Sequence, residues 1–417
     1  LRKNTEILDE YLFDIETKTI TTVIREDGRL KVLVRGAPEE ILKRSKNKDK
    51  KIEEKIEEFA KDGLRVIGFA TKSMDSKDFN KDNFESDLSF LGILGIYDPP
   101  RDEAKAAIEN ARNAGIRTIM VTGDNEITAL AIAKEIGLVS ENEDVITGEV
   151  LQKLTDSELD KAIEKTNIFA RIEPEDKLRI VESLKRKGFV VGVTGDGIND
   201  TLALKSADVG IAMGETGSDV AKEASDIILS DDNYSTIVHA VEEGRKIYDN
   251  ILKSITYLLT TNLSEITLIV LAFLLNFPLP LLPTQILWIN LVTDGLPALA
   301  LASDKKDPDV LKRLPIDPKS PIFSKERALF IFGVGGVLAF IMLGVFAYSL
   351  SQGTETFART IIFNLLIFSH MLLAFVVRGK LLFRGNKFLV ISVLFTVVLQ
   401  VLITFTPFFQ GLFKIGF

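Results

Sequence analysis

Cysteine is absent from this chain of 417 residues, and histidine occurs only twice, at His239 and His370. The first absence excludes disulfides, thiolate zinc sites, iron–sulfur ligation and cysteine nucleophiles. The second excludes a histidine metal cluster, so any metal must be held by oxygen. Positive charge is in deficit, with 51 Lys and Arg against 59 Asp and Glu, a net charge of −8. That balance argues against a nucleic-acid partner, whose phosphates favour a basic patch. No basic-then-apolar leader precedes the first polar segment, and Leu1 is not an initiator, so the chain is expected to begin inside a longer protein. The residues that are present are unevenly distributed. Up to about Asn250 the chain is rich in Lys, Glu and Asp, whereas five long apolar stretches follow from Ile251 onward. A wholly water-soluble protein is therefore excluded.

Near the start, β-branched residues in Thr19–Ile24 and Lys31–Val34 flank Asp27-Gly28, a pair suited to a tight hairpin turn. Pro38 opens a short helix, the charged stretch Lys46–Lys55 leads into another, and Arg65–Thr71 reads as a strand. The polar run Ser73–Ser89 reads as a surface connection. From Asp98 the pattern becomes helix (Glu103–Asn113), strand (Arg117–Val121), helix (Thr128–Ile136), helix (Lys177–Lys187) and strand (Phe189–Thr194). Such alternation predicts a parallel sheet with helices on both faces.

Five membrane spans are predicted at Ile251–Leu275, Thr284–Ser303, Ala328–Leu350, Thr360–Val377 and Phe388–Phe409. The connection Asp304–Arg327 carries seven Lys or Arg and Arg378–Lys387 carries four, whereas Asn276–Pro283 and Ser351–Thr356 carry none. Basic loops stay on the cytoplasmic side, which places residues 1–250 there as well. The fold class is α/β plus membrane all-α: an α+β part over residues 1–95, a Rossmann-like unit over 96–240 and a transmembrane helix bundle over 241–417.

Two of the strands end in similar words, Val121-Thr122-Gly123-Asp124 and Val193-Thr194-Gly195-Asp196-Gly197-Ile198-Asn199-Asp200. Ligands collect at the carboxyl ends of strands in an open parallel sheet, so both clusters are expected to face one crevice. Glycine there lets backbone N–H groups approach an anion, and Thr122 can donate to a phosphoryl oxygen. Asp196 and Asp200 would repel a phosphate unless Mg²⁺ lay between, and carboxylates with retained waters suit that ion. Lys177, one turn after Pro174 in Phe169–Lys177, offers a cation for a transferred group.

Polar residues inside predicted spans are costly and therefore suggestive. Asn262 and Glu265 share a face of the first span, and Asn290, Thr293 and Asp294 share a face of the second. Pro297 has no N–H for the carbonyl of Thr293 and, beside Gly295, is expected to loosen that helix and free backbone oxygens. Carboxylates, amides, a hydroxyl and carbonyls form a hard oxygen ligand set of the kind Ca²⁺ prefers.

The chain resembles the P-type ATPases, and within them the calcium-transporting type. The resemblance runs from Tyr11 to Gln410. Its most specific words are Arg35-Gly36-Ala37-Pro38-Glu39, Asp98-Pro99-Pro100-Arg101, Thr122-Gly123-Asp124-Asn125, Thr194–Asp200 and Asn290-Leu291-Val292-Thr293-Asp294-Gly295-Leu296-Pro297. It implies that residues 1–95 are the later part of a nucleotide-binding domain. Residues 96–240 would be a haloacid-dehalogenase-like phosphorylation domain without its first strand, and the helices the fifth to ninth spans.

By the same resemblance Phe13 would stack on adenine, with Lys18, Arg35, Arg65, Gly123, Asp124 and Arg171 around ATP. Thr122 and Lys177 would meet the transferred phosphoryl group, Asp196 would ligate Mg²⁺, and Asn199 and Asp200 would complete that site. Asn262, Glu265, Asn290, Thr293 and Asp294 fall on ion-ligand positions. His370 stands where calcium pumps carry Glu or Gln, and it reads equally as a packing residue or as a hydrogen-bonding, proton-exchanging one.

Two smaller departures are Arg35 for the family's Lys and Thr201-Leu202 for its Ala-Pro. The larger departure is that no Asp-Lys-Thr-Gly-Thr nucleophile segment occurs in the chain. A missing N-terminal part of the same pump is thus an expected partner, together with ATP and the lipid bilayer. Export of Ca²⁺ is the leading expectation. The rivals are a pump for Mn²⁺ or Na⁺, a membrane-anchored phosphatase, and a split or truncated chain without activity of its own.

Overall fold

The computed structural model describes residues 6–14, 17–26, 29–47, 50–74, 84–97, 99–140, 143–379 and 385–416. The Asp27-Gly28 turn, Asp98, Lys380, Arg384 and the middle of the polar run after Ser73 lie outside the described residues. The chain divides into two compact units, Leu1–Val238 and His239–Phe417.

The first unit opens with a five-stranded antiparallel sheet made of β1 (Glu6–Asp14), β2 (Thr19–Glu26), β3 (Arg29–Gly36), β4 (Arg65–Met74) and β5 (Ser89–Ile96), paired in that order. Glu26 faces Arg29 across β2 and β3, which leaves two residues between the strands, as a tight hairpin requires. Alternation along the strands turns Val23, Val32, Val34 and Ala70 toward Ile41 and Leu42 of helix α1 (Pro38–Lys43). Helix α2 (Lys50–Lys61) adds Ile52 and Ile56 to the same core. The reading of Ser73–Ser89 as a surface connection needs correction, because Phe84 and Leu88 are only 1% and 0% exposed and belong to that core. Two isolated apolar anchors in a polar stretch carry no periodicity, and so they were invisible to pattern reading.

The rest of this unit runs α3 (Ala104–Asn113), β6 (Met120–Val121), α4 (Glu126–Glu135), β7 (Val145–Thr147), α5 (Gly148–Lys153), α6 (Asp156–Ala162) and β8 (Ile168–Ala170). It continues through α7 (Pro174–Arg186), β9 (Gly192–Gly195), α8 (Thr201–Ser206), β10 (Val209–Met213), α9 (Asp219–Glu223) and β11 (Ile227–Leu229). Local signals explain the helix starts. Asn125 caps α4 by accepting the N–H of Thr128, Thr155 and Glu158 form a reciprocal capping box at α6, and Pro174 occupies the first turn of α7. All the pairings are parallel, as expected, but the strands form two three-stranded sheets, β6-β8-β7 and β11-β10-β9. Among the described residues no strand bridges β6 and β9, so each strand that ends in Thr-Gly-Asp lies at a sheet edge. Both are also shorter than the predicted Arg117–Val121 and Phe189–Thr194, since a strand without a second neighbour has fewer partners to extend it.

Helix α10 (Tyr234–Leu274) is continuous over 41 residues. It is followed by α11 (Pro283–Trp288), a π-helical turn (Ile289–Thr293), α12 (Gly295–Ala302), α13 (Lys325–Gln352), α14 (Glu355–Val376), α15 (Lys387–Phe405) and α16 (Pro407–Phe413). Among the described residues five helical segments are long and apolar enough to cross a membrane, with α11, the π turn and α12 together making one of them. The last span stops at Phe405 and not at Phe409. Pro407 cannot continue the helix, because its ring clashes with the carbonyl one turn back, and it starts α16 instead. Pro297 was expected to loosen the second span, and the irregularity lies just before it: the N–H of Asp294 bonds to the carbonyl of Ile289, five residues back, at 2.8 Å. Tyr257, Leu301, Leu373, Ala374 and Leu389 pack together in this unit's interior, whereas Phe273, Leu291, Phe332 and Phe395 are exposed, as lipid-facing side chains are.

Candidate functional site

In the antiparallel sheet, Arg35 faces Phe69 across β3 and β4, and Arg65 lies four residues before Phe69 on the same strand. Even spacing puts Arg35, Phe69 and Arg65 on the face turned away from buried Val34 and Ala70. Phe13, 59% exposed, is the penultimate residue of β1, before Asp14, which pairs with Thr19. Lys18 adopts a left-handed conformation at φ 53°. Its carbonyl accepts the N–H of Ala37, and a Cβ on Gly36 would lie 2.2 Å from that oxygen, so only glycine fits there. Arg35 and Arg65 therefore share one open side of the sheet, while Phe13 and Lys18 lie at its β1–β2 end. Their only positive-φ member is held by the Arg35-Gly36-Ala37 word.

The phosphate residues form two groups. In the first, Thr122 Oγ1 accepts the N–H of Asp124 at 3.1 Å, the carbonyl of Asp124 accepts the N–H of Arg171 at 2.8 Å, and that of Thr122 accepts the N–H of Ile172 at 3.0 Å. Arg171 sits at φ 52° and pairs with Glu39 of α1. Gly123 has open space around it, as a backbone that must approach a ligand needs. In the second group, Lys177 Nζ lies 2.5 Å from Asp200 Oδ1, while Asp200 Oδ2 accepts the N–H groups of Asp196 and Gly197, both at 3.2 Å.

Asp200 is thus occupied in holding the loop and Lys177, whereas the carboxylate of Asp196 is exposed, as is Asn199. One open carboxylate fits Mg²⁺, which keeps several waters and takes its remaining ligands from phosphate. A Cβ on Gly195 would lie 2.4 Å from Cβ of Asp200, which accounts for glycine at that step. The hydroxyl of Thr201 is buried with no hydrogen-bond partner.

Pattern reading missed Asp232, which organises the neighbouring loop. Its carboxylate accepts the N–H groups of Gly214, Glu215 and Thr216 and the hydroxyl of Thr216, at 2.6 to 3.0 Å. Ser218, from the same loop, donates its N–H to the carbonyl of Asp196 at 2.8 Å. Burial would push the Asp232 carboxyl upward, but these four donors outweigh it and bring the pKa down to about 2.

The membrane unit gathers Glu265, Asp294 and His370 so that one ligand atom from each lies within 4.8 Å of the others, all of them buried. Tyr257 donates its hydroxyl to Asp294 Oδ1 at 3.0 Å, and His370 Nδ1 lies 3.1 Å from the same oxygen. Asn290 donates to Glu265 Oε2 at 3.3 Å, and His370 Nε2 lies 3.2 Å from Ser264 Oγ. His370 thus lies in hydrogen-bond contact with Asp294 and Ser264. Glu265 Oε1 and Asp294 Oδ2 are buried with no hydrogen-bond partner among the described residues. Thr293 is buried with its hydroxyl on the carbonyl of Ile289, Asn262 is half-buried, and Asn290 is exposed. The π turn adds a residue to the helical register between Asn290 and Asp294, yet Asn290 still reaches Glu265. Tyr257 and Ser264 were missed, although they lie eight and one residues before Glu265 on one helix.

The profile described as "Cation transporting ATPase, C-terminus" matches residues 278–416, and the one described as "P-type ATPase, cytoplasmic domain N" matches residues 1–103. The calcium-transporting ATPase 1 of Bacillus cereus is 40% identical over 450 residues, which cover 100% of this chain and 51% of that protein. The calcium-transporting ATPase of Bacillus subtilis is 38% identical, over 99% of this chain and 49% of that protein. A sodium/potassium exporting P-type ATPase of Schizosaccharomyces pombe is 39% identical, over 86% of this chain and 37% of its own length. The chain spans about half the length of the two Bacillus relatives. It is a multi-pass membrane protein with a cytoplasmic N-terminal part, which matches the cytoplasmic-domain profile, while the C-terminal profile covers four of the five candidate spans. The chain belongs to the P-type ATPase family and has the domain architecture of its cation-transporting members.

Proposed function

We propose that this chain is the later part of an ATP-driven cation pump and that Ca²⁺, leaving the cytoplasm, is the transported ion. The observation that carries the reading is the pair of buried carboxylate oxygens, Glu265 Oε1 and Asp294 Oδ2, that have no hydrogen-bond donor. Two unpaired acceptors in the membrane interior are costly unless a cation takes both. Asn262, Asn290 and Thr293 supply further oxygens around them, and the set is hard, as Ca²⁺ requires. The calcium-transporting names of the Bacillus relatives support that ion, while the Schizosaccharomyces relative supports Na⁺ or K⁺ as the second reading.

On the cytoplasmic side, Phe13, Lys18, Arg35 and Arg65 would receive the nucleotide, with Gly123, Asp124 and Arg171 toward its phosphates. Thr122 and Lys177 would hold the transferred phosphoryl group. Asp196 would hold Mg²⁺, with Asn199 beside it and Asp200 keeping the loop in place. The ion would neutralise phosphate charge, leaving positioning and hydrogen bonding to these side chains. The nucleophile is assigned to the remainder of a longer protein, as an aspartate that becomes phosphorylated. A strand inserted between the free edges of β6 and β9 is where it would meet both Thr-Gly-Asp clusters. The test is ATP hydrolysis by the intact pump against a panel of ions. Stimulation by Ca²⁺ at micromolar concentration supports the proposal, stimulation by Na⁺ or K⁺ alone supports the second reading, and ion-independent hydrolysis contradicts both.

A further inference from the structure

Away from the cation site, the membrane unit buries a second charged cluster that no part of the proposed mechanism uses. Asp304, 0% exposed, receives Nε and Nη2 of Arg378 on its two oxygens at 3.0 and 3.1 Å. Asn386, the N-cap of α15, donates to Asp304 Oδ1 at 2.9 Å, and Lys253 Nζ lies 3.5 Å from Oδ2. Asn250 donates to the Asp304 backbone carbonyl at 2.8 Å. Burial acts to raise the Asp304 carboxyl pKa, but Arg378 and Lys253 outweigh it and lower it.

The members of this cluster lie on the segments that carry the cation-site residues. Lys253 precedes Glu265 by 12 residues on α10, Asp304 follows Asp294 by 10 at the end of α12, and Arg378 follows His370 by 8 just beyond α14. At about 1.5 Å per residue, the two clusters stand about 12–18 Å apart along all three segments. A buried ion pair is a poor means of adding stability, because desolvation cancels most of the attraction. Its forked Arg–carboxylate geometry is well suited to setting register. The register of the second span matters most. From Gly295 to Ala302 it is a regular helix ending near the cluster, whereas on the other side of Asp294 it is a π turn, a less regular element that rearranges more readily.

We propose that Asp304, gripped by Arg378 and Lys253, is a positioning residue that sets the mutual height of the helices bearing Glu265, Asp294 and His370. The inference rests on the cation-pump reading for its functional consequence, though not for the clamp itself. It is tested with Arg378→Lys, which keeps the buried charge but loses the fork, and with Asp304→Asn, both made in the intact pump. The expected result is a rise of about tenfold or more in the cation concentration giving half-maximal ATPase stimulation. The ATP concentration for half-maximal rate and the rate at saturating cation should stay within about twofold. A role in folding alone would lower the amount of protein in the membrane and leave the cation dependence unchanged. Unchanged cation dependence in Arg378→Lys, whatever its abundance, overturns the proposal.

Hydrogen exchange along Gly295–Ala302 in the 417-residue chain separates the two readings. Faster exchange in Arg378→Lys supports the clamp even if the intact pump proves indifferent to cations. Exchange equal to that of the unaltered chain overturns it.

Discussion

Nδ1 of His370 stands 3.1 Å from one oxygen of the Asp294 carboxylate, while the other oxygen of the same group is buried without a donor. One oxygen of Asp294 is thus within hydrogen-bond distance of Tyr257 and His370, and among the described residues the other, like Glu265 Oε1, has no donor. One ligand atom from each of the two acids and from His370 lies within 4.8 Å of the others, so on the cation-pump reading proposed above both acids would serve one ion.

Replacing Asp294 by Asn removes the negative charge but keeps the shape and the acceptor for Tyr257. Cation-stimulated ATP hydrolysis in the intact pump is expected to require at least about tenfold more cation, with ATP binding unchanged. Equilibrium nucleotide binding and ion-dependent hydrolysis, measured on the same preparation, check both halves.

Trp288, the only tryptophan, precedes the π turn and donates its indole N–H to Gln400 at 3.0 Å. Cation binding at Asp294 should disturb that turn and shift the emission of Trp288. Glu265→Gln should abolish the shift, and fluorescence titration in lipid reads it directly.

Asp200→Asn weakens the charge-assisted contact with Lys177 and puts an amide N–H₂ where one of the present acceptors stands. The cost expected is about 1.5–3 kcal/mol of local stability. Hydrogen exchange at Asp196 and Gly197 measures it, and phosphorylation by ATP in the intact pump should slow in parallel.

Asp232 sets a pH limit on the adjoining loop. Its carboxyl falls from 3.8 to about 2, so its contribution is fully present above the ordinary value and is lost as the pH falls through about 2. Amide protection of Gly214, Glu215 and Thr216 should therefore persist at pH about 4 and collapse near pH 2. Asp232→Asn should lower that protection at neutral pH and differ little from the parent below pH about 2.

Gly36→Ala places a methyl 2.2 Å from the carbonyl of Lys18 and must push β2 from β3. A loss of about 1–3 kcal/mol in the nucleotide-binding sheet is expected, read from exchange of the Ala37 N–H that bonds to that carbonyl.

What could be read from residues alone follows from how the information is carried. The hairpin, the strands leading into Asp124 and Asp196, the lysine one turn into α7 and the apolar spans all depend on local pattern, and local pattern is what a sequence displays. Phe84 and Leu88 depend on tertiary contacts with α1 and the sheet, and no spacing announces them. The split of the parallel sheet at β6 and β9 depends on which strands are present to pair. Asp304, Arg378 and Lys253 are separated by 51 and 74 positions, so each looked like an ordinary loop or flanking charge until the fold closed them together. His370 read as a packing residue or a hydrogen-bonding one, and its two polar neighbours, Ser264 and Asp294, place it in a hydrogen-bonded network.

The most direct test of the account is the ion dependence of ATP hydrolysis in the intact pump carrying Glu265→Gln together with Asp294→Asn. The account predicts that the double variant still binds ATP but no longer responds to Ca²⁺, Mn²⁺, Na⁺ or K⁺ at any concentration the parent senses. Hydrolysis stimulated by ions as in the parent would contradict it.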